Sequence, residues 1–301
     1  MIQNSLCWAN CESYKQSDFV IVGITDESHS HSIRKGTVNA PEKIRSVSRE
    51  MDVYIENNQK SLAYTNHGQP TSKIFDLGNI SRANVPHVFE RIFHDDKIPV
   101  TLGGDHSLTS LIVKTLGKNS KPISLVYFDA HPDFLSSTQD FYGSVVYDCL
   151  PFIDVKSSVM IGVRSPELEE INNIKKYGMN VFSPTDIQYF GLKQTLNEIL
   201  STLGKNIYIS FDMDCIDPAF APGVSVPVPM GLDPVTASIL LQNISQCGIL
   251  GMDLMEVCPN YDIQNNTCHL ASRLISEVLV STKIRKKRQT LSEIANSLHL
   301  I

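Results

Sequence analysis

Three short segments of the chain carry aspartates at spacings that suit metal binding, and two of them also contain a histidine. Gly-Gly-Asp-His-Ser occupies 103–107, Asp-Ala-His-Pro-Asp occupies 129–133, and Asp-Met-Asp occupies 212–214. Any single aspartate here would also fit a strand end or a helix cap. Gathered together without partners, however, these groups would repel one another and lose solvation on burial, and divalent cations remove that penalty. The pattern therefore predicts a metal centre built from all three segments.

Each acidic segment directly follows a short apolar run rich in β-forming residues. The runs cover 97–102, 123–128 and 207–211 and are typical of buried parallel strands. In an open α/β sheet, ligands bind beyond the carboxyl ends of the strands, so the three segments should meet at one sheet edge. Alternate residues of an extended segment point to the same side, which would place the polar side chains of 129–133 together.

The ligand types narrow the choice of metal and reaction. Imidazole together with carboxylate suits manganese, iron, cobalt or zinc better than calcium or magnesium. The candidate ligands exceed the needs of one catalytic zinc. Two metals about 3.5–4 Å apart can share a water molecule and lower its pKa toward neutrality. The pattern thus indicates metal-assisted hydrolysis, with these candidate ligands: His106, Asp129, His131, Asp133, Asp212 and Asp214.

At these residues the chain resembles the ureohydrolase superfamily of arginases, agmatinases, formimidoylglutamases and guanidino-acid hydrolases. Besides the acidic segments, the resemblance rests on the runs 210–223 and 251–262, and more weakly on 34–45, 76–80 and 162–165. It implies an arginase-like α/β fold with three α/β/α layers and a mostly parallel sheet. It also implies two Mn²⁺ ions per chain and a homo-oligomer, either a trimer or a hexamer.

The resemblance further implies which residue binds which ion. One manganese would be held by His106, Asp129, Asp133 and Asp212, and the other by Asp129, His131, Asp212 and Asp214. Asp129 and Asp212 would then bridge the two ions. A hydroxide between the ions would attack the trigonal carbon of a guanidinium or amidine, and Asp133 would orient it and relay a proton.

Three further residues are candidates for the substrate pocket. Glu256 would bind the cationic head group, because a planar guanidinium pairs with a carboxylate through two hydrogen bonds. Many relatives carry a proton-shuttle histidine where this chain has Tyr142, so either Tyr142 substitutes, water delivers the proton, or this branch never used that residue. Ser225 is a candidate substrate contact in a Val-Ser-Val-Pro segment that replaces the usual Thr-Gly-Thr-Pro and removes two hydroxyls from the pocket wall.

The leading hypothesis is a manganese-dependent hydrolase of a guanidino or amidino C–N bond, with agmatine, cleaved to putrescine and urea, as the first substrate. Formimidoylglutamase and arginase activities are alternatives, because the segment 224–227 is closer to some formimidoylglutamases. A relative of histone deacetylases with a single zinc is a rival that metal stoichiometry would distinguish. A non-catalytic ligand-binding relative is a further alternative, because the shuttle histidine and two threonines are missing.

Length and composition bound the remaining possibilities. The 301 residues, 42% of them hydrophobic, can form a single domain over 1–301 with a possible C-terminal helical extension at 289–301. The net charge of −6 disfavours nucleic acid as a partner and is compatible with a small cationic substrate. The absence of a long apolar segment disfavours a membrane partner, and seven scattered cysteines without a CxxC pair fit a reducing cytoplasm.

Apolar runs alternate with helical stretches, which predicts a mostly parallel sheet. Helices are predicted at 85–94, 108–116 and 193–203, and another begins after Asp233. Strands are predicted near 19–24, 73–77, 98–102, 123–128, 158–162, 179–182, 207–211 and 249–253. The loop with His29 and His31 is interpreted as a rim loop, the polar segment 49–72 as a loop over the site or a partner contact, and the basic run 283–288 as the end of the last helix.

Overall fold

In the part of the chain that the structure describes, eight strands form one sheet in which all neighbouring strands run parallel. The computed structural model describes residues 5–50, 72–120, 122–136 and 140–284. The strands are β1 (Phe19–Ile24), β2 (Ile74–Ile80), β3 (Ile98–Leu102), β4 (Ser124–Phe128), β5 (Val159–Ile161), β6 (Asn180–Phe182), β7 (Ile207–Asp212) and β8 (Ile249–Met255). Their order across the sheet is β2-β1-β3-β8-β7-β4-β5-β6.

Helices cover both faces of the sheet. They are α1 (Ala40–Ser48), α2 (Val85–His94), α3 (Ser107–Ser120), α4 (Val145–Cys149), α5 (Leu168–Tyr177), α6 (Pro184–Phe190), α7 (Leu192–Thr202), α8 (Pro234–Gln246) and α9 (Asn266–Ser281). The core has two parts, one on each face of the sheet, because alternate residues of a strand face opposite sides. Phe19 and Ile21 pack with α1 and α6–α9 on one face. Val20 and Val22 pack with α2–α5 on the other face. Among the described residues, no helix is long and apolar enough to cross a membrane.

The predicted fold of three α/β/α layers with a parallel sheet is confirmed, and all eight predicted strands are present with bounds that differ by at most three residues. Asp233 caps α8 as predicted, since its carboxylate accepts the amides of Val235 and Thr236 at 2.9 and 3.0 Å. The single domain over 1–301 stays a prediction. Most of the polar segment 49–72 and of the basic run 283–288, and the whole C-terminal segment 289–301, lie outside the described residues.

The strand order positions the acidic segments. β3, β8, β7 and β4 are consecutive neighbours at the centre of the sheet and run parallel, so the segments that follow them leave from one edge. The segments 103–107, 129–133 and 212–214 therefore meet there, and Glu256 joins them directly after β8.

Candidate metal centre and substrate pocket

His106 lies directly before α3 and is fully buried among three carboxylates. Its Nδ1 is 3.0 Å from Oδ2 of Asp129, 3.1 Å from Oδ2 of Asp212 and 3.4 Å from Oδ2 of Asp133. Asp129 follows β4 and Asp212 ends β7, so strands β3, β4 and β7 together position the group. These are the residues that the resemblance assigns to the first ion.

His131 forms the second group. Its Nδ1 lies 3.1 Å from Oδ2 of Asp214 and 3.4 Å from Oδ1 of Asp129, so Asp129 offers one carboxylate oxygen to each group. Asp212 joins only the group of His106, and its Oδ1 accepts the backbone amide of Asp214 at 2.7 Å. The structure thus brings the six candidate ligands into two adjoining groups that share Asp129.

The donor set fits divalent transition metals. The contact of 3.0 Å between Oδ2 of Asp129 and Nδ1 of His106 does not have hydrogen-bond geometry, so this buried oxygen lacks a hydrogen-bond partner, whereas most buried polar atoms have one. Burial and Asp129 raise the pKa of Asp133, and burial together with Asp214 and Asp129 raises the pKa of Asp212. Divalent cations between these carboxylates would favour the ionised forms. Imidazole and carboxylate donors together suit manganese, iron, cobalt or zinc.

Two glycines allow the backbone before His106 to pass close to its neighbours. A Cβ on Gly103 would lie 1.7 Å from Sδ of Met255, and a Cβ on Gly104 would lie 1.8 Å from the carbonyl oxygen of Asp26. A larger residue at 103 would displace the flexible Met255 side chain, whereas a larger residue at 104 would push the backbone away from the loop after β1. Gly104 is therefore required to seat His106 at the sheet edge.

Glu256 follows β8 in a left-handed backbone conformation, with φ of 62°. Its Oε1 accepts the backbone amide of His106 at 2.7 Å, and its Oε2 accepts the hydroxyl of Ser225. Burial raises the pKa of Glu256 to about 8, although the hydrogen bond from Ser225 opposes this shift. Ser225 is buried and is not among the described residues that line the pocket. Because its hydroxyl contacts Glu256, its role is to orient the Glu256 carboxylate.

A cavity of about 300 Å³ opens onto Glu256 and onto four of the candidate metal ligands, which are His131, Asp133, Asp212 and Asp214. None of the described residues that line it is lysine or arginine. Tyr142 lines it, and the exposed ring of His31 lies 6.3 Å from the Tyr142 ring, which places the His29–His31 loop at the rim. The remaining wall consists of Leu135, Phe141, Gly143, Ser165, Glu167, Glu170 and Val226.

Two groups of polar residues at the site had no role assigned from the sequence. Glu167 and Glu170, at the start of α5, line the pocket. Asp253, Ser210 and Tyr127 form a buried layer around His106: Tyr127 stacks on its ring at a centroid distance of 4.7 Å, and Ser210 lies 2.8 Å from its Nε2. One sequence feature could have indicated this buried layer: Asp253 is a carboxylate within an otherwise apolar strand.

The comparison with protein families decides the assignment, because the sequence model of the arginase family matches residues 17–281. The chain belongs to the arginase family. An agmatinase of Chromobacterium violaceum is 35% identical over 64% of this chain and 60% of its own length. A mitochondrial guanidino acid hydrolase of Homo sapiens is 33% identical over 73% of this chain and 64% of its own length. The chain thus spans less than two thirds of the length of these two relatives.

Solved structures of other proteins share the fold of this arginase-family chain. An agmatine ureohydrolase of Thermoplasma volcanium superposes with a TM-score of 0.81 at 27% identity, covering 100% of this chain and 98% of its own. A formimidoylglutamase of Bacillus subtilis superposes with a TM-score of 0.77 at 23% identity, over 87% of this chain and 85% of its own. The family resemblance inferred from the motifs is confirmed.

Proposed function

We propose that this arginase-family protein hydrolyses a C–N bond of a guanidino or amidino compound at a centre for two manganese ions. The proposal depends on one observation: six histidine and aspartate side chains suited to metal binding converge beside Glu256, four of them in the wall of the pocket and two buried beneath it. His106, Asp129, Asp133 and Asp212 would hold one ion, and His131 and Asp214 would hold the other together with Asp129. When bound, the two ions supply water activation and charge neutralisation.

Glu256 binds the guanidinium or amidinium group of the substrate. The amide of His106 and the hydroxyl of Ser225 hold its two oxygens, so the carboxylate has a fixed plane against which a planar cation can align. Glu256 must be ionised to do this, and a bound cation favours the ionised form. The substrate carbon is thereby held beside the metal ligands.

Asp133 transfers protons, whereas Tyr142 acts only as a hydrogen-bond donor. Asp133 accepts a proton from the attacking water and passes it to the leaving amine, and the Tyr127 hydroxyl, which donates to its Oδ2 at 2.6 Å, keeps it in place. Burial, Glu256 and Asp133 raise the pKa of Tyr142. Its hydroxyl therefore stays protonated at neutral pH, so Tyr142 donates a hydrogen bond to the substrate and does not act as a base.

The pocket wall favours a substrate with a cationic tail over one with a carboxylate tail. Both oxygens of Glu170 accept backbone amides, from Phe134 at 3.0 Å and from Glu167 at 2.8 Å. Glu167 is exposed and is open to an ammonium group. A carboxylate at this position would face two acids and no basic residue among the described lining residues. Agmatine, with a terminal amine, is therefore the first substrate proposed, ahead of arginine, guanidinobutyrate and formimidoylglutamate. A trimeric or hexameric assembly and a cytoplasmic location stay predictions.

The test is a substrate panel with manganese-loaded protein. Agmatine, arginine, guanidinobutyrate and formimidoylglutamate are assayed for release of urea or formamide, and agmatine is expected to give the highest kcat/KM. Glu167→Gln should reduce the preference for agmatine, whereas Glu198→Gln, an exposed acid on α7, serves as the matched control. Release of neither product from any of the four compounds would contradict the proposal.

A further inference from the structure

A chain of buried hydrogen bonds runs from His106 away from the metal ligands and into the core. Nε2 of His106 lies 2.8 Å from Oγ of Ser210, and the Ser210 hydroxyl donates to Oδ1 of Asp253 at 2.8 Å. His106, Ser210 and Asp253 are each 0% exposed. The opposite ring nitrogen, Nδ1, faces the carboxylates of the metal cluster and also lies 3.0 Å from the Tyr127 hydroxyl.

Asp253 is the acceptor in each of its three hydrogen bonds, which come from the hydroxyls of Tyr208, Thr109 and Ser210. Its Oδ2 accepts the hydroxyl of Tyr208 at 2.8 Å and the hydroxyl of Thr109 at 2.9 Å, in addition to the bond from Ser210 to Oδ1. None of these contacts requires a proton on the carboxyl group. The Thr109 hydroxyl also lies 3.1 Å from Oγ of Ser210, but its proton is directed at Asp253. With Asp253 ionised, the single hydroxyl proton of Ser210 is directed at Asp253 as well, so Oγ of Ser210 accepts from the imidazole.

We infer that Asp253 is a positioning residue that acts through Ser210 to fix the tautomer of His106. Nε2 carries the proton, and the lone pair is on Nδ1, where it meets a metal ion. The inference rests on the metal centre of the proposed function and extends it, because it makes one of the two metal positions dependent on a carboxylate outside the cluster. Support of this kind typically changes metal affinity by about 10–100-fold.

The hydrogen-bond chain from Asp253 supports only the half of the centre that contains His106. Among the described residues, the recorded polar contacts of the His131 ring are those of Nδ1 with Asp214 and Asp129. Asp253 should therefore control the affinity of the metal held by His106 and leave the other metal unaffected.

The test is stepwise titration of the full-length, metal-depleted protein with Mn²⁺, with free manganese measured by electron paramagnetic resonance. In Asp253→Asn, the amide can donate to Ser210 and reverse the hydrogen bonds of the chain, so that Ser210 donates to Nε2 and the proton moves to Nδ1. We expect one of the two manganese affinities to fall by about 10–100-fold while the other stays the same. Ser210→Ala should lower the same affinity by less, because it removes the link without reversing it.

Tyr208→Phe is the matched control, since it removes one hydrogen bond to Asp253 and keeps the link to His106. It should retain both affinities. If Asp253→Asn binds both ions like the wild type, or if the affinities of both ions fall together with the melting temperature, the inference is overturned. A wild-type protein that binds no manganese would instead refute the metal centre of the proposed function, so the two failures are distinguishable.

Discussion

The two halves of the candidate metal centre are supported differently by the protein. His106 is fully buried, and its ring stacks on Tyr127 while Nε2 lies against Ser210. The His131 side chain is 24% exposed and lines the substrate cavity. A ligand held at both ring nitrogens is oriented before the metal arrives, whereas a ligand on the cavity wall borders the space that substrate and water enter. We therefore expect the His106 half to bind its metal more tightly.

The largest effect is expected at the residue that joins the halves. Asp129→Ala removes an oxygen donor from each group, so both metals should be lost and kcat/KM should fall by at least about 10³-fold. Metal content measured after dialysis, together with the substrate panel, checks this. Glu198→Gln is the surface control and should keep both metals. Retention of one metal in Asp129→Ala would show that the two halves are independent.

Replacing each histidine separately tests directly whether the two halves differ in metal affinity. His106→Asn should weaken the tighter manganese ion by about 100-fold or more, and His131→Asn should weaken only the looser ion. Manganese titration of the two variants under identical conditions gives the comparison. Equal losses in the two variants, or loss of the tighter ion in His131→Asn, would contradict the proposed ranking.

A smaller effect is expected where the substrate binds. Glu256→Gln should keep both metals and lower kcat/KM for agmatine by about 10–150-fold, because a charged hydrogen bond to the head group is replaced by a neutral one. Ser225→Ala should have a weaker effect in the same direction, since it only loosens the carboxylate. Steady-state kinetics with matched metal loading measures both. Unchanged kinetics in Glu256→Gln would remove this residue from substrate binding.

The smallest effect is a pH dependence of manganese binding, to which the exposed half contributes through His131. Burial alone would lower the pKa of His131, but Asp214 and Asp129 outweigh it and raise the pKa from 6.5 to about 12. The resulting contribution to the stability of the metal-free protein is fully present below pH 6.5 and is lost as the pH rises toward 12. Metal binding requires Nδ1 to release its proton, so manganese affinity should rise over the same range.

The gain in melting temperature on adding manganese should therefore grow between about pH 6 and about pH 9. Thermal scans with and without manganese measure this gain at each pH. In His131→Asn, the gain in melting temperature on adding manganese should increase less with pH. A gain that is constant with pH in the wild-type protein would contradict the role of His131 as a ligand.

The sheet and the convergence of the histidines and aspartates at one edge could be predicted because both leave strong local signals. Short apolar runs marked all eight strands, and parallel strands force the segments after β3, β4 and β7 to one edge. The spacing of two residues within 129–133 and 212–214 then indicated which side chains would point the same way. The family resemblance added the roles of the individual ligands.

The remaining parts of the site depend on contacts between distant segments. Ser210 and Asp253 lie on neighbouring strands, but only the register of β7 against β8, which pairs these two residues, brings them together beneath His106. Glu167 and Glu170 are on the pocket wall because α5 packs against the segment after Asp133, through the amide of Phe134. No local sequence pattern encodes either contact.

Anomalous diffraction at the manganese absorption edge, from crystals grown with excess Mn²⁺, tests the central claim most directly. We predict two anomalous peaks in each chain, one beside Nδ1 of His106 and one beside Nδ1 of His131, with Asp129 between them. The peak beside His106 should persist at lower manganese concentration. Crystals that show no anomalous peak at either imidazole would contradict the account.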